Sequence, residues 1–280
     1  MIESLSELWQ FQFMRHALLT GLLVSIACGI IGTYVVVKRI VFLSGGISHT
    51  AFGGIGIGYF FGFNPIIGAI VFSIAAALGI AIVRQKASQR EDTLIGIMWA
   101  AGMAIGIIFI DKTPGYAPNL MSYLFGNILT VSSPDLVMMI ILDVIILSTV
   151  LVLFKEFKAF TFDEEYSAVS GIPITALNII LFCLIALTVV ILIRAVGIIL
   201  VIALLTIPPA AVIRYNFTLG KTMVFSIIIG VIFTTAGLLL SAAYNITSGA
   251  AIIIVACIGY FISLLIKPYV INHRGAKTDS

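Results

Sequence analysis

Charged residues are scarce in this sequence. Asp, Glu, Lys and Arg make up 10% of its 280 residues against 61% hydrophobic, with a mean hydropathy of +1.22. That scarcity excludes a soluble globular domain, which could not hide so much apolar surface. The net charge of +3 is too small to point to nucleic acid. Cysteine is limited to Cys28, Cys183 and Cys257, each inside an apolar run, which excludes a disulfide framework. Met1–Arg15 is acidic and aromatic where a cleavable signal peptide would be basic, so the first apolar stretch is expected to be retained. A Walker-type phosphate loop is also lacking, so this chain supplies no ATPase of its own.

What is present is a succession of apolar runs near the roughly 20 residues that a membrane helix needs. The expected spans are His16–Val37, Phe42–Gly62, Pro65–Val83, Thr93–Ile110, Leu136–Phe154, Thr175–Ile193, Val196–Ile213, Thr222–Ala243 and Gly249–Ile266. Asn119–Val131 is apolar but too short to cross alone, which suits an interfacial or re-entrant segment. The fold class expected is an all-α integral membrane protein, a polytopic bundle of about eight to nine transmembrane helices forming one domain over residues 1–280.

Orientation follows from the basic residues, which are retained on the cytoplasmic side. Placing the segment after the first span inside puts Lys38, Arg39, Arg84, Lys86, Arg90, Lys155, Lys158, Arg214, Lys221, Lys267, Arg274 and Lys277 there, and leaves Arg15, Lys112 and Arg194 outside. Nine spans then place the N-terminus outside and residues 267–280 in the cytoplasm as a tail of a multi-pass cell-membrane protein.

The longest cytoplasmic connection covers residues 155–174. Asp163-Glu164-Glu165 puts negative charge where a helix N-terminus favours it, Tyr166 opens the run YSAVS, and Gly171-Ile172-Pro173 is a stop signal. A short helix outside the membrane results. It is either an acidic solvated turn or a docking element for a cytoplasmic partner.

The stretch SGGISHT, Ser44–Thr50, interrupts the second apolar run. Gly45, His49 and Gly53 are four residues apart and share one helix face, while Gly54 and Gly58 form a small-xxx-small pair that lets another helix approach. His49 either fixes helix packing or faces a pathway, since ionisable groups in lipid are costly. Its glycines and the hydroxyls of Ser44, Ser48 and Thr50 favour the pathway. Asp143, in IILDVII, is the other ionisable group near mid-span. It either bonds a neighbouring helix or joins His49 on a transition-metal ion. Pro208-Pro209 in GIILVIALLTIPPAAVI should kink or break its helix, as a packing bend or as a hinge.

FLSGGISHTAFGG, SYLFGNIL, FDEEYSAVSGI and VGIILVIALLTIPPAAVIR together resemble the permease subunit of the ABC importers for zinc, manganese and related divalent metals. The likeness covers nearly the whole chain, with the motifs in the family's order. It implies a homodimer of permeases, a cytoplasmic ATPase subunit on which ATP is bound and hydrolysed, and an extracytoplasmic metal-binding protein. No tightly bound cofactor is implied, only a transported zinc or manganese ion. The segment from Asp163 through Glu164, Glu165 and Tyr166 to Gly171 becomes the element coupled to the ATPase. His49 becomes a metal contact in the pathway, lined also by Gly45, Ser48 and Gly53. Many members carry an aspartate four residues before that histidine; here the position is Gly45. Loss of a carboxylate favours zinc over manganese, because manganese prefers oxygen donors and zinc accepts imidazole.

Two other classes compete. A gradient-driven carrier would use Asp143 and His49 as a proton relay and often shows inverted repeats, and no clear repeat is visible. An intramembrane hydrolase would pair Ser48 or Ser44 with His49, but adjacent helical residues such as Ser48 and His49 point in different directions.

Overall fold

The computed structural model describes residues 11–86, 91–114 and 126–275. Among these the chain is helical, without strands, as apolar segments in lipid must be if every backbone group is to be paired internally. Five long helices come first: α1 Gln12–Val37, α2 Val41–Phe61, α3 Pro65–Lys86, α4 Glu91–Asp111 and, after a 3₁₀ turn at Ile128–Thr130, α5 Ser133–Val152. Two short helices follow, α6 Phe154–Phe162 and α7 Glu164–Val169. The chain closes with α8 Ile174–Ile213, α9 Leu219–Tyr244 and α10 Ser248–Gly275.

Seven of these helices are long and apolar enough to cross a membrane. The eighth of spanning length, α2, has 21 residues, and its glycines, hydroxyls and histidine lower its hydropathy. It is nonetheless held within the bundle between α3 and α4. The expected boundaries are met to within a few residues, except that α10 continues to Gly275, nine residues past the expected end at Ile266 and into the segment expected as a tail.

A straight helix of 40 residues, the length of α8, would run about 60 Å, twice the hydrocarbon thickness. Instead the backbone turns at Gly197 (φ 80°, ψ 161°), a conformation reserved for glycine. Arg194, just before the turn, bonds Asp135 at the start of α5 (3.2 Å). Beyond the turn, Gly32 of α1 closes on Leu205, and Gly220 of the following helix α9 lies against Phe154, which opens α6 just past the far end of α5. The second half of α8 therefore runs back the way the first half came. The eight rods make nine passes, matching the two spans expected at Thr175–Ile193 and Val196–Ile213, with one residue in place of a loop.

The break expected at Pro208-Pro209 lies elsewhere: both prolines are inside the helix, and the non-helical residue is Gly197. Proline at 209 cannot donate to the carbonyl of Leu205. Gly32 packs against that same carbonyl, so a neighbouring helix covers the carbonyl left without its donor.

Of Asn119–Val131, residues 119–125 lie outside the described residues. The remainder is a turn: Gly126 (φ 60°) packs against Val196 and Gly197, Asn127 accepts from the amide of Leu129 (3.1 Å), and His16 Nδ1 meets the carbonyl of Val131 (3.1 Å). This end of the bundle is thereby pinned to the α8 reversal.

Gly32→Ala would drive a methyl into the Leu205 backbone, and should lower stability by about 1–3 kcal/mol. Gly79→Ala meets nothing within 4 Å and should be neutral. Thermal unfolding of the two detergent-solubilised variants against wild type checks the contrast.

Candidate functional site: a glycine-set histidine and a coupling segment

The glycines of α2 are contact points for backbone. Gly54 meets Gly68 of α3 in a reciprocal contact, Gly56 meets Gly106 of α4, Gly58 meets Pro65, and Gly102 of α4 lies on the Cα of Thr50. Small residues let membrane helices approach until backbones touch, where apolar burial offers no driving force. Thr50 Oγ1 strengthens the seam by donating to the carbonyls of Gly46 (2.7 Å) and Met98 (3.2 Å).

That seam fixes His49 against α4. Its ring stacks on Trp99 (centroids 4.1 Å apart, planes 12° apart), and its Nδ1 lies 3.3 Å from the sulfur of Met103. All three side chains are partly open. Gly45 is buried beneath the indole: a β-carbon there would sit 3.2 Å from Trp99 Cζ3. The position where many members of the resembling family hold a carboxylate is thus roofed by an aromatic ring. Gly53, one turn the other way, packs on the carbonyl of Gly102 and the ring of Phe72. Ser48 is buried and donates back to the carbonyl of Ser44 (2.6 Å), so its hydroxyl is committed to its own helix and not to His49.

Asp143 is not brought to this cluster. It is 6% exposed, neither carboxylate oxygen has a hydrogen-bond partner, and its ionisable neighbour is Cys28 on α1. Among the described residues, no three His, Cys, Asp or Glu side chains gather as a closed metal cage.

At the opposite end from the α8 reversal, Asp163 accepts from the amide of Tyr166 (2.8 Å) and so caps α7. Gly171 ends the segment at φ 79°. The helix expected here is preceded by a second, because Phe157 and Phe160 of α6 bury their rings against the bundle. Phe162, Tyr166 and Val169 are 64%, 66% and 90% exposed, beside the exposed carboxylates of Asp163 and Glu165. Glu164 turns inward. Lys38, the residue after α1, bonds its carboxylate (2.6 Å), donates to the carbonyl of Phe160 (3.3 Å) and lies 3.4 Å over the Phe160 ring. With 4% of its side chain exposed, Lys38 rivets the projecting segment to α1.

A family model described as the ABC 3 transport family matches residues 10–267. The chain belongs to that family. A Synechocystis sp. protein known as an uncharacterized membrane protein is 48% identical over 95% of both chains, and the manganese transport system membrane protein MntC of Listeria monocytogenes is 38% identical over 94% of both. The solved structure of PsaBC from Streptococcus pneumoniae in complex with Fab superposes with a TM-score of 0.84 at 30% identity, covering 94% of this chain and 95% of that one. The chain is therefore a multi-pass membrane protein of a metal ABC transport permease family.

Trp99, Met103, Lys38 and Gly197 escaped the sequence reading. Trp99 and Met103 share the four-residue spacing that singled out Gly45 and His49, but in an apolar helix that spacing reads as packing. Gly45→Ala should shift the indole against the imidazole by a few tenths of an ångström. In a Trp9→Phe background the emission of Trp99 then shifts, whereas Gly96→Ala, which meets nothing within 4 Å, leaves it unchanged.

Proposed function

We propose that this permease, as a homodimer with an ATPase subunit on its inner face and a metal-binding protein on its outer face, imports divalent transition-metal ions, zinc ahead of manganese. The observation that carries the reading is His49: a partly open imidazole at mid-helix, locked by glycine contacts on both sides, within a family of metal-transport permeases. A packing histidine would not need one edge left open.

In this reading the end bearing α6 and α7 is cytoplasmic, in keeping with the basic residues Lys38, Lys155 and Lys158 there, and the N-terminus is outside. The exposed Phe162, Tyr166 and Val169 with Asp163 and Glu165 form the face that enters the ATPase. Motion of that face reaches α1 through Lys38. ATP binding and hydrolysis on the partner exchange the inner and outer gates. The ion passes His49 in transient contact, because a closed four-ligand site would hold it too long.

The relatives named for manganese favour that metal; Gly45, which offers no oxygen donor, favours zinc. Uptake into proteoliposomes holding the chain with its ATPase and binding protein decides between them. ATP-dependent zinc uptake should exceed manganese uptake, and His49→Ala should abolish it while the complex stays assembled. Uptake that survives His49→Ala makes the histidine a packing residue, and no ATP-dependent uptake of either metal refutes the importer reading.

Lys38→Met should leave ATPase binding intact yet uncouple it. ATP turnover should continue while metal uptake falls at least several-fold, a split that parallel phosphate-release and uptake assays would register.

A further inference from the structure

The two donor atoms that face each other at this site are a nitrogen and a sulfur, and His49 has so far been given the ion alone. Nδ1 of His49 and Sδ of Met103 lie 3.3 Å apart, and both side chains are partly open. An ion about 2.1 Å from the nitrogen and somewhat beyond the about 2.3 Å of a zinc–thiolate bond from the sulfur subtends roughly 90–100° between donors at that separation, within reach of the tetrahedral arrangement that zinc adopts. The spacing, a hydrogen bond while no ion is present, also suits two ligands of one ion. Trp99, stacked on the imidazole, holds the ring in place, and the space a carboxylate at position 45 would need is filled by its indole.

Resting on the reading of His49 as a pathway contact, we propose that Met103 is the second metal contact, so that the passing ion meets one imidazole nitrogen and one thioether sulfur. A thioether is a soft donor, which borderline zinc accepts and manganese, seeking oxygen, does not. It is also uncharged. A thiolate would bind zinc tightly enough to trap it, whereas a neutral sulfur gives a contact that forms and breaks within a transport cycle. Without an ion, Nδ1–H donates to the Met103 sulfur (3.3 Å); an entering ion takes the place of that proton, and the neutral ring then carries its proton on Nε2, leaving the Nδ1 lone pair to the ion. The site thus discriminates by replacing an oxygen donor with a sulfur one, with Gly45 making room for the Trp99 indole and Met103 supplying the atom.

The test uses the permease–ATPase complex without the binding protein, loaded with zinc alone and read by X-ray absorption at the zinc edge. Wild type should show a sulfur scatterer together with nitrogen. Met103→Leu, which keeps volume and apolarity, should lose the sulfur and keep the nitrogen, and in proteoliposomes holding the ATPase and the binding protein it should lower the zinc-to-manganese uptake ratio by about tenfold. Met103→Glu should raise manganese uptake relative to wild type. A wild-type spectrum with nitrogen and oxygen only, or a sulfur signal that persists in Met103→Leu, overturns the assignment of Met103 while leaving His49 in place. Zinc binding that is absent, or unchanged in His49→Ala, overturns the pathway reading beneath it.

Discussion

The close approach of α2 to its neighbours is the constraint on which the rest of this molecule depends. Water cannot drive two helices together inside a bilayer, so contact is governed by how near the backbones can come. Gly54 against Gly68, Gly56 against Gly106, and Gly102 against Thr50 leave no space for a methyl group. These contacts set the rotation and the height of α2, and with them the meeting of His49 with Trp99 and Met103. A looser seam would hold the same residues in the wrong register.

The same economy of space governs the centre of the bundle. The double proline of α8 strips Leu205 of its helical donor, and Gly32 of α1 covers the exposed carbonyl. Ion pairs among the described residues hold the two ends: Arg194 with Asp135 beside the reversal, and Lys38 with Glu164, over the Phe160 ring, beside the projecting segment. Glycine packing thus decides where helices lie, and charge decides what the ends hold. Asp143, buried with both oxygens unpartnered, stands outside both schemes.

Much of this was legible in the sequence, because length and hydropathy alone reveal a span. The nine passes and the short helix begun by Asp163 follow from apolar runs, cap residues and stop signals. His49 was visible as a polar residue where polarity is costly. Other features were hidden for physical reasons. A proline announces a break, yet the turn lies at Gly197, since a tertiary contact can absorb a missing hydrogen bond whereas φ of 80° can be absorbed only by glycine. Met103 and Trp99 are apolar and helical, so nothing distinguishes them from core until the register of α2 against α4 is known. Lys38 reads as an interfacial cation, and its burial depends on a segment more than a hundred residues away.

The reversal at Gly197 has a mechanical meaning. Two membrane passes joined by a single residue have no slack, so neither can slide along the membrane normal without carrying the other. Arg194 anchors the hinge at one end, and Gly126 is wedged against it. Such a pair acts as a stiff chevron: it can pivot about its apex or splay its arms, and it transmits a push at its open end as rotation at its closed one.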